Sequence, residues 1–413
     1  METSGLFTAA LGLQAPWQVV DVRFDPAAGE IHFDVACQAE RLVCPVCSAG
    51  DQPIHDRKTR SWQHLHFFQY RAYLHAQVPR VACGGCGKTT QVEVPWARPQ
   101  SGFTLLFEAL VITLAQSMPI AQVARLLGVS DHRLWRLLNP VIEQARAQEA
   151  FAGVERIGVD EKHVGRLGFI SLFHDAGPQR RVLFGGAGRD ASVFERFVED
   201  LKAHGGEAAR IEAVTMDLSK AYQAGARAQL PQAAVCFDGF HLIKLANAAV
   251  DEVRRAEVRQ VSELKGKRWG TLKDARDWTY GQICDMHWLS RTNLKTARAW
   301  RLKEALRTAI AEPGEAAEPA LRGWISWARR SRLPAFKRLG ATIRDHLPGI
   351  LNSLRLGLSN GTAESINSKV QAAIARARGF RTHRCLMSVI YLIAGKHSHL
   401  PAPPYAQVAS SRP

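Results

Sequence analysis

The sequence ERIGVDEKH at residues 155–163 opens a stretch in which strand and helix patterns alternate as far as residue 240. Four further apolar runs have the length and composition of strands, and two segments between them have helical periodicity. The strands are GFISLFHDAG (168–177), RRVLFGGAGRD (180–190), RIEAVTMDLS (210–219) and AAVCFDGF (233–240), and the helices are SVFERFVEDLKAHGG (192–206) and AYQAGARAQL (221–230). This alternation predicts an α/β core over residues 151–245.

Two aspartates of this core stand at the ends of apolar strands, where the backbone is rigid. Asp160 ends the run RIGV, and Asp217 ends the run IEAVTM. If the two strands are neighbours in the sheet, their carboxylates face each other and could hold two Mg²⁺ ions roughly 3.5–4 Å apart. Glu364 lies in NGTAESINSKV (360–370), just inside a helix that Thr362 could cap, and its long side chain could reach back to the metals. Each acid alone could be a plain cap, but the three together favour a site for Mg²⁺, which prefers a few oxygen ligands.

Another acid follows the apolar strand AAVCF in the sequence Asp238-Gly-Phe-His241. This pair could support the acidic site from behind, or it could help to place a phosphate group. Alternatively, Asp238 could cap a helix in which His241 is partly buried, and the residues favour neither interpretation. Glu161 and Asp190 have neighbours typical of turns or exposed faces, so we do not expect them in the site.

Four of the eight cysteines form two CxxC knuckles, Cys44-Pro-Val-Cys47 and Cys83-Gly-Gly-Cys86, with 35 residues between them. Two such knuckles can place four thiolates tetrahedrally around one structural Zn²⁺ ion. The run TRSWQHLHFFQYRAYLHAQVPRVA (59–82) between them alternates aromatic and polar residues as ribbon strands do. The alternatives are two unrelated buried pairs, or ligation by histidines of that run, which on a strand are expected to be surface or core residues. These histidines are His64, His66 and His75.

The segment PIAQVARLLGVSDHRLWRLLNPVIEQA (119–145) fits a helix-turn-helix. Gly128 would adopt the left-handed conformation of the turn, and Ser130 or Asp131 would cap the second helix. The inward side chains would be Val123, Leu126 and Leu127 on the first helix and Leu134, Leu137 and Leu138 on the second. The outward residues, which would meet base edges or phosphates, would be Asp131, His132, Arg133 and Arg136. The alternative is an ordinary helical hairpin in a core.

The positive charge of the chain is large and uneven. Lys and Arg number 54 against 38 Asp and Glu, a formal net charge of +16, which indicates a polyanionic partner, most often nucleic acid. Residues 251–345 hold 21 basic and 12 acidic side chains and six of the ten tryptophans. Basic residues of this region such as Arg329 and Arg330 would contact phosphates, and exposed tryptophans could stack on unpaired bases. We expect at least half of these tryptophans to lie in a helical core instead.

The composition excludes several classes of protein. Hydrophobic residues at 46% and charged residues at 22% are typical of a folded globular protein. No apolar run reaches the roughly 18 residues of a membrane span, and the N-terminus lacks the basic region of a signal peptide. Eight cysteines in 413 residues are too few for a disulfide scaffold. We therefore expect a soluble cytoplasmic protein that contacts nucleic acid.

Six segments are predicted along the chain. A zinc-ribbon domain (1–97) and a helix-turn-helix domain (98–150) come first, followed by the first part of the core (151–245). A self-contained, basic, all-helical insertion (246–345) precedes the second part of the core (346–400), which carries Glu364. The tail PAPPYAQVASSRP (401–413) is expected to be disordered.

These segments together resemble the IS-L-three family of bacterial insertion-sequence transposases. The matching stretches follow the family's order: CPVC with CGGC, the helix-turn-helix, GVDE, TMDLSKAY, FDGFHLIKLANAAVDEVRR and NGTAESINSKVQAAIARARGFR. The resemblance implies a multidomain α+β protein whose RNase H-like catalytic core, with a DDE triad, is interrupted by an all-helical insertion. The triad carried over would be Asp160, Asp217 and Glu364, with 146 residues between the last two. Asp238 and His241 would match the family's Asp-x-x-His element.

The function implied by the resemblance is DNA transposition. The protein would bind the terminal inverted repeats of its element, cleave them and join the 3′ ends to target DNA, using two Mg²⁺ (or Mn²⁺) ions per active site. Synapsis of two ends implies a homodimer or a higher oligomer, acting on the bacterial nucleoid. One alternative is a non-catalytic regulator that binds DNA through the zinc ribbon and the helix-turn-helix, which leaves the three acids unexplained. The other is a structure-specific nuclease of the same fold that hydrolyses DNA without strand transfer.

Overall fold

The computed structural model describes residues 3–312, 316–358 and 361–405. The chain divides into two compact units, Met1–Gln144 with His399–Pro413 and Ala145–Ser398. Residues 401–405 contain neither helix nor strand, and residues 406–413 of the predicted disordered tail lie outside the described residues. Among the helices of the described ranges, none is long and apolar enough to cross a membrane.

The first unit begins with a helix and six strands that form one mixed sheet. They are α1 (Thr3–Ala10), β1 (Trp17–Asp25), β2 (Glu30–Cys37), β3 (Arg41–Leu42), β4 (Gln52–Phe67), β5 (Tyr70–Ala82) and β6 (Thr89–Gln91). The order is β1-β2-β5-β4-β3, and β6 pairs with β5. The long antiparallel pair β4 and β5 confirms the predicted ribbon strands. Because side chains two apart on a strand share a face, alternate residues of β2 and β5, such as Phe33 and Leu74, form the core.

Three helices complete this unit and contain the predicted helix-turn-helix. They are α2 (Leu105–Ala115), α3 (Ile120–Leu127) and α4 (Asp131–Ala147). Gly128 ends α3 in the left-handed conformation with a φ of 65°, as the turn requires. Val123, Leu127 and the three leucines of α4 are buried. Leu126, predicted to point inward, is 56% exposed, because a helix of eight residues buries only a narrow stripe.

The second unit is built on a five-stranded sheet. Its elements are β7 (Arg156–His163), β8 (Phe169–Asp175), β9 (Val182–Ala187), α5 (Ser192–Ala203), β10 (Ala213–Met216), α6 (Lys220–Gln229), β11 (Ala234–Phe237) and α7 (Gly239–Glu257). The strand order is β11-β10-β7-β8-β9. β7, β8 and β9 are antiparallel neighbours, whereas β10 and β11 run parallel to β7. This is the expected RNase H-like sheet, and every strand and helix predicted between residues 155 and 240 is present.

Helices make up the rest of the second unit. They are α8 (Arg268–Leu272), α9 (Tyr280–Ser290), α10 (Lys295–Ala311), α11 (Ala317–Arg330), α12 (Pro334–Asp345), α13 (Leu347–Leu356), α14 (Gly361–Ala377) and α15 (His383–Ala394). The described part of residues 246–345 contains no strand, as predicted for the insertion. The insertion is not self-contained, however, because Leu302, Trp324 and Phe336 belong to one buried cluster with Val214 and Phe237 of the sheet.

Two buried charged side chains, Glu257 and Lys303, stabilise helices of the insertion by hydrogen bonds to the helix ends. The Glu257 carboxylate accepts hydrogen bonds from the backbone N–H groups of Lys295 and Thr296, at 2.8 and 2.7 Å, and so caps the start of α10. The Lys303 ammonium, on a fully buried side chain, donates to the Thr271 carbonyl at the end of α8 at 2.7 Å. A cation at a C-terminus and an anion at an N-terminus both complement the helix dipole.

Both edges of the five-stranded sheet are covered by side chains or by a helix. Along β9, an Arg146 guanidinium nitrogen donates to the Leu183 carbonyl at 2.6 Å, and the Gly185 N–H donates to the Tyr391 hydroxyl at 3.0 Å. At the opposite edge α13 lies against β11, where the Asn352 amide donates to the Val235 carbonyl at 3.1 Å. The backbone groups that an edge strand normally presents to solvent are therefore engaged at these positions.

Candidate active site

A row of carboxylates on the three parallel strands is the centre of the candidate site. Thr215 of β10 pairs with Gly158 of β7 and with Cys236 of β11, and Asp217, Asp160 and Asp238 each come two residues after these paired positions. The condition that the strands of Asp160 and Asp217 be neighbours is therefore met. Asp217 and Asp238 directly follow β10 and β11, as predicted for Asp217. The prediction that Asp160 ends its strand is wrong, because pairing with β8 continues β7 to His163.

The electrostatic environment of Asp160 combines burial with the charges of its neighbours. Burial has the largest effect and raises the pKa of the Asp160 carboxyl, and the negative charge of Asp217 raises it further. The backbone N–H of Glu161, the positive charge of His241 and the amide of Asn367 act in the opposite direction. The ionised forms of two carboxylates that repel each other are stabilised by a cation placed between them.

Asp238 and His241 form a pair beside this row. The Asp238 carboxylate is buried, with 6% of its surface exposed, and lies 3.5 Å from Nδ1 of His241. The hydrogen bond that His241 donates to the Asp238 carboxylate raises the pKa of His241, burial opposes this shift, and the charges of Asp238, Asp160 and Asp217 add to it. Asp238 directly precedes α7, but its side chain makes no capping hydrogen bond to that helix. Asp238 thus occupies the N-cap position of α7 without the capping bond, and His241 is partly buried beside it.

Glu364 lies in the first turn of α14, and its side chain is exposed. The amide of Asn367, three residues later, donates a hydrogen bond to Oδ2 of Asp160, so the beginning of α14 lies beside β7. The helix begins at Gly361, so Thr362 is inside the first turn and the prediction that it caps the helix is wrong. Within the described ranges, the ligand atoms of Asp160, Asp217 and Glu364 do not all lie within 4.8 Å of one another. The four sulfur atoms of the knuckle cysteines do.

Two residues near the site were missed by the sequence analysis. Glu161 was assigned to a turn or an exposed face, but it lies within β7 and is half-buried, with Oε1 3.7 Å from the Arg189 guanidinium. Burial raises the pKa of the Glu161 carboxyl, and Asp217 and Asp160 raise it further. Asn367 carries no charge and belongs to no spacing pattern, so only its contact with Asp160 reveals it.

The four cysteines converge in the first unit at the ends of the ribbon strands. Their sulfur atoms all lie within 4.8 Å of one another, with 3.4 Å between Cys47 and Cys83 and 3.8 Å between Cys44 and Cys86. Four thiolates at about 2.3 Å from Zn²⁺ would be separated by about 3.8 Å, so this donor set fits one structural zinc ion. The backbone N–H of Cys86 makes the largest contribution to lowering the pKa of the Cys83 thiol, whereas hydrogen bonds from the neighbouring cysteines and burial raise the pKa of the Cys47 thiol, so the two sulfurs of this close pair shift in opposite directions.

The rival histidines lie outside this cluster. Nδ1 of His64 is hydrogen-bonded to the Thr104 hydroxyl at 2.9 Å, and burial lowers its pKa to about 4. His75 is hydrogen-bonded to His32 and to Ser61, at 2.9 and 2.7 Å. Burial also lowers the pKa of His66. The expectation that these are surface or core residues is confirmed.

The predicted DNA-contacting residues lie on exposed surfaces of the two units. His132, Arg133 and Arg136 are exposed on the first turns of α4, and Asp131 beside them is half-buried. The Arg133 guanidinium stacks on the ring of Phe103 at 4.5 Å, which restricts its direction. Arg329 and Arg330 are exposed at the end of α11.

The six tryptophans of the insertion divide evenly between surface and interior. Trp269, Trp288 and Trp327 are exposed, by 56%, 36% and 44%. The other three, Trp278, Trp300 and Trp324, pack against the helical core. The prediction that at least half of them are core residues is confirmed.

A sheet with acids on its adjacent parallel strands, combined with a four-cysteine ribbon and a helix-turn-helix, is typical of enzymes that act on DNA. Three family models match the chain: one described as a transposase over residues 157–390, the helix-turn-helix domain of transposase family ISL3 over 92–142, and the zinc-finger of transposases IS204/IS1001/IS1096/IS1165 over 40–91. The chain belongs to the ISL3 (IS-L-three) family of insertion-sequence transposases.

Similar proteins support this assignment along nearly the whole chain. The transposase for insertion sequence element IS1557 of Mycobacterium tuberculosis is 30% identical over 449 aligned positions, which cover 97% of this chain and 99% of the relative. The transposase for insertion sequence element IS1001 of Bordetella parapertussis is 26% identical over 354 positions, which cover 83% of this chain and 86% of that relative.

Proposed function

We propose that the protein cleaves and joins DNA at a carboxylate site formed by Asp160, Asp217 and Glu364. The observation that carries the proposal is the sheet register, in which Asp160 and Asp217 follow paired positions on adjacent parallel strands. The contact between Asn367 and Asp160 supports the third member, because it holds the first turn of α14 beside β7. Carboxylate oxygens are the ligands that Mg²⁺ and Mn²⁺ prefer, so this donor set fits two such ions.

Two bound Mg²⁺ (or Mn²⁺) ions would supply activation of the attacking water or 3′-hydroxyl and stabilisation of the leaving oxygen. The side chains of the protein would keep negative oxygens in fixed positions, with Asp160 on β7, Asp217 directly after β10 and Glu364 on the first turn of α14. Asp238 acts behind this row, where its hydrogen bond orients His241 and favours the imidazolium. A cation there can receive a DNA phosphate by a charge-assisted hydrogen bond.

The proposed DNA contacts fall into two kinds. On α4, the exposed His132, Arg133 and Arg136 read base edges of the terminal inverted repeats. On α11, Arg329 and Arg330 contact phosphates of any DNA, and the exposed tryptophans of the insertion stack on unpaired bases. Because joining requires two ends in one complex, the active assembly is a homodimer or a higher oligomer on the bacterial nucleoid, with target DNA as the further partner.

A strand-transfer assay tests this function against its alternatives. The substrate is a DNA end already cut to leave a free 3′-hydroxyl, offered together with supercoiled target DNA and Mg²⁺. Joining of the end to the target is expected. Hydrolysis without joining would indicate the nuclease, and binding without either reaction would indicate the regulator.

We expect the two surfaces to contribute differently to DNA binding, with sequence discrimination on α4 and affinity for any DNA on α11. Replacing Arg133 and Arg136 by Ala should reduce discrimination between the element's own ends and unrelated DNA, by about 1–3 kcal/mol for each lost base contact. Replacing Arg329 and Arg330 by Ala should weaken binding to all DNA alike. It should also reduce the magnitude of the slope of log affinity against log salt concentration by about 1 per lost phosphate contact. Affinities measured over a range of salt concentrations test this, and each double variant is the control for the other. Unchanged specificity in the α4 variant would move sequence recognition to the ribbon or the insertion.

A further inference from the structure

The hydrogen bond between Asn367 and Asp160 joins residues 207 positions apart in the chain, at the place where α14 meets β7. We propose that Asn367 is a positioning residue, which fixes the Asp160 carboxylate and the first turn of α14 relative to each other. This inference rests on the proposed function, because it assumes that Asp160 and Glu364 hold metal. It assigns to Asn367 the task of keeping the first and third carboxylates in one arrangement.

The two oxygens of Asp160 are both held by neutral donors. Oδ1 accepts the backbone N–H of Glu161 at 2.8 Å, and Oδ2 accepts the side-chain amide of Asn367. A carboxylate has about four acceptor positions, so two of them remain for a metal ion. A lysine or arginine in place of Asn367 would neutralise Asp160 and compete with that ion. A neutral amide fixes the direction of the carboxylate and leaves its charge available.

The same contact also sets the position of Glu364. Residues three apart on a helix are neighbours on its surface, so Asn367 and Glu364 lie one above the other on α14. The buried side of the helix, with Ile366 and Val370 next to Asn367, packs against apolar residues of the sheet. Apolar contacts have little directionality, and they allow a helix to rotate or slide. The bond from Asn367 is directional, so it defines the rotation of α14 and hence the direction of Glu364.

Two variants separate hydrogen bonding from packing. Asn367→Leu keeps the size of the side chain but removes the donor, whereas Asn367→Gln keeps the amide on a longer side chain. We expect Asn367→Leu to lower the joining rate and the affinity for Mn²⁺ by about 10–100-fold, the usual cost of losing a group that holds a metal ligand. Asn367→Gln should retain most of both. Gln371→Ala, an exposed position on the same helix, is the control and should resemble the wild type.

Two quantities are measured. The first is the joining rate as a function of Mg²⁺ concentration. The second is the binding of Mn²⁺ to the full-length protein, monitored by the electron paramagnetic resonance signal of free Mn²⁺. If Asn367 served only to pack the helix, the variant with Leu would be tolerated better than the one with Gln, and that order would overturn the proposal. Wild-type rate and Mn²⁺ affinity in both variants would overturn it too. If Asp160→Asn protein joined ends as well as the wild type, the proposed function itself would be wrong, independently of the result for Asn367. Hydrogen exchange along β7 and β8 shows whether each Asn367 variant keeps the sheet folded, and if one variant unfolds the comparison rests on the other.

Discussion

Asp217→Asn protein is expected to bind its DNA ends normally and to neither cut nor join them. The substitution keeps the shape of the side chain but replaces a charged oxygen ligand by a neutral amide. Asp217 lies at the end of β10 beside Asp160, whose pKa it raises, so its charge is part of the field that would draw Mg²⁺ into the site. We expect a loss of joining rate of about 10²–10³-fold or more, the scale for removing one preorganised electrostatic group from an active site.

End binding should survive this change for a structural reason. The helix-turn-helix and the ribbon belong to a compact unit of the chain that does not include Asp217. The matched control is Asp190→Asn, the same chemical change at an exposed aspartate whose carboxylate accepts the Ser192 N–H at 2.9 Å. Rates of joining from a pre-cut end and affinities for the same end provide the two measurements. Joining at the wild-type rate by Asp217→Asn protein would remove Asp217 from the site.

Cys83→Ser protein is expected to lose one zinc ion per chain and the folded structure of the ribbon with it. Structural zinc contributes roughly 10 kcal/mol or more to the folding of small domains. Cys83 lies where β5 ends and its sulfur is 3.4 Å from that of Cys47, so the two knuckles hold the far ends of the ribbon strands together through the metal. Without it, β4 and β5 lose this closure.

The effect should remain within the first unit. Hydrogen exchange should show loss of protection along β4 and β5, while the sheet of the second unit keeps its protection. Metal content per chain, measured on protein purified without chelators, gives the stoichiometry. Cys284→Ser is the control, because Cys284 is exposed on α9 and lies outside the cluster. Wild-type protein without zinc, or a Cys83→Ser protein with an intact ribbon, would contradict the assignment.

The parts of the fold that the sequence could predict are those in which local pattern and burial agree. The strands around Asp160 and Asp217 are continuous apolar runs, because strands in the middle of a covered sheet are buried on both faces. The glycine after α3 was predictable, since a left-handed turn has few alternatives. The knuckle cysteines were predictable because their spacing has a known metal chemistry.

What could not be predicted depends on contacts between distant segments. Leu126 looks like its buried neighbour Leu127, and only the packing of α3 decides which of the two is covered. Glu161 follows Asp160 directly, and its proximity to Arg189 arises from the sheet. Asn367 is one amide among many polar residues, and its importance comes from an aspartate in another part of the chain. The insertion shares its core with the sheet, a feature that no local pattern could indicate.

The covered edges of the five-stranded sheet have a consequence for how copies of the protein can assemble. In the proposed complex on two DNA ends, copies of the protein would meet at a high local concentration, where an open strand edge could pair with a strand of the neighbouring copy and begin aggregation. Arg146 and Tyr391 occupy backbone groups of β9, and α13 occupies the edge at β11. Contacts between copies at these positions would therefore be made by side chains, which can specify one geometry, and not by the pairing of strands.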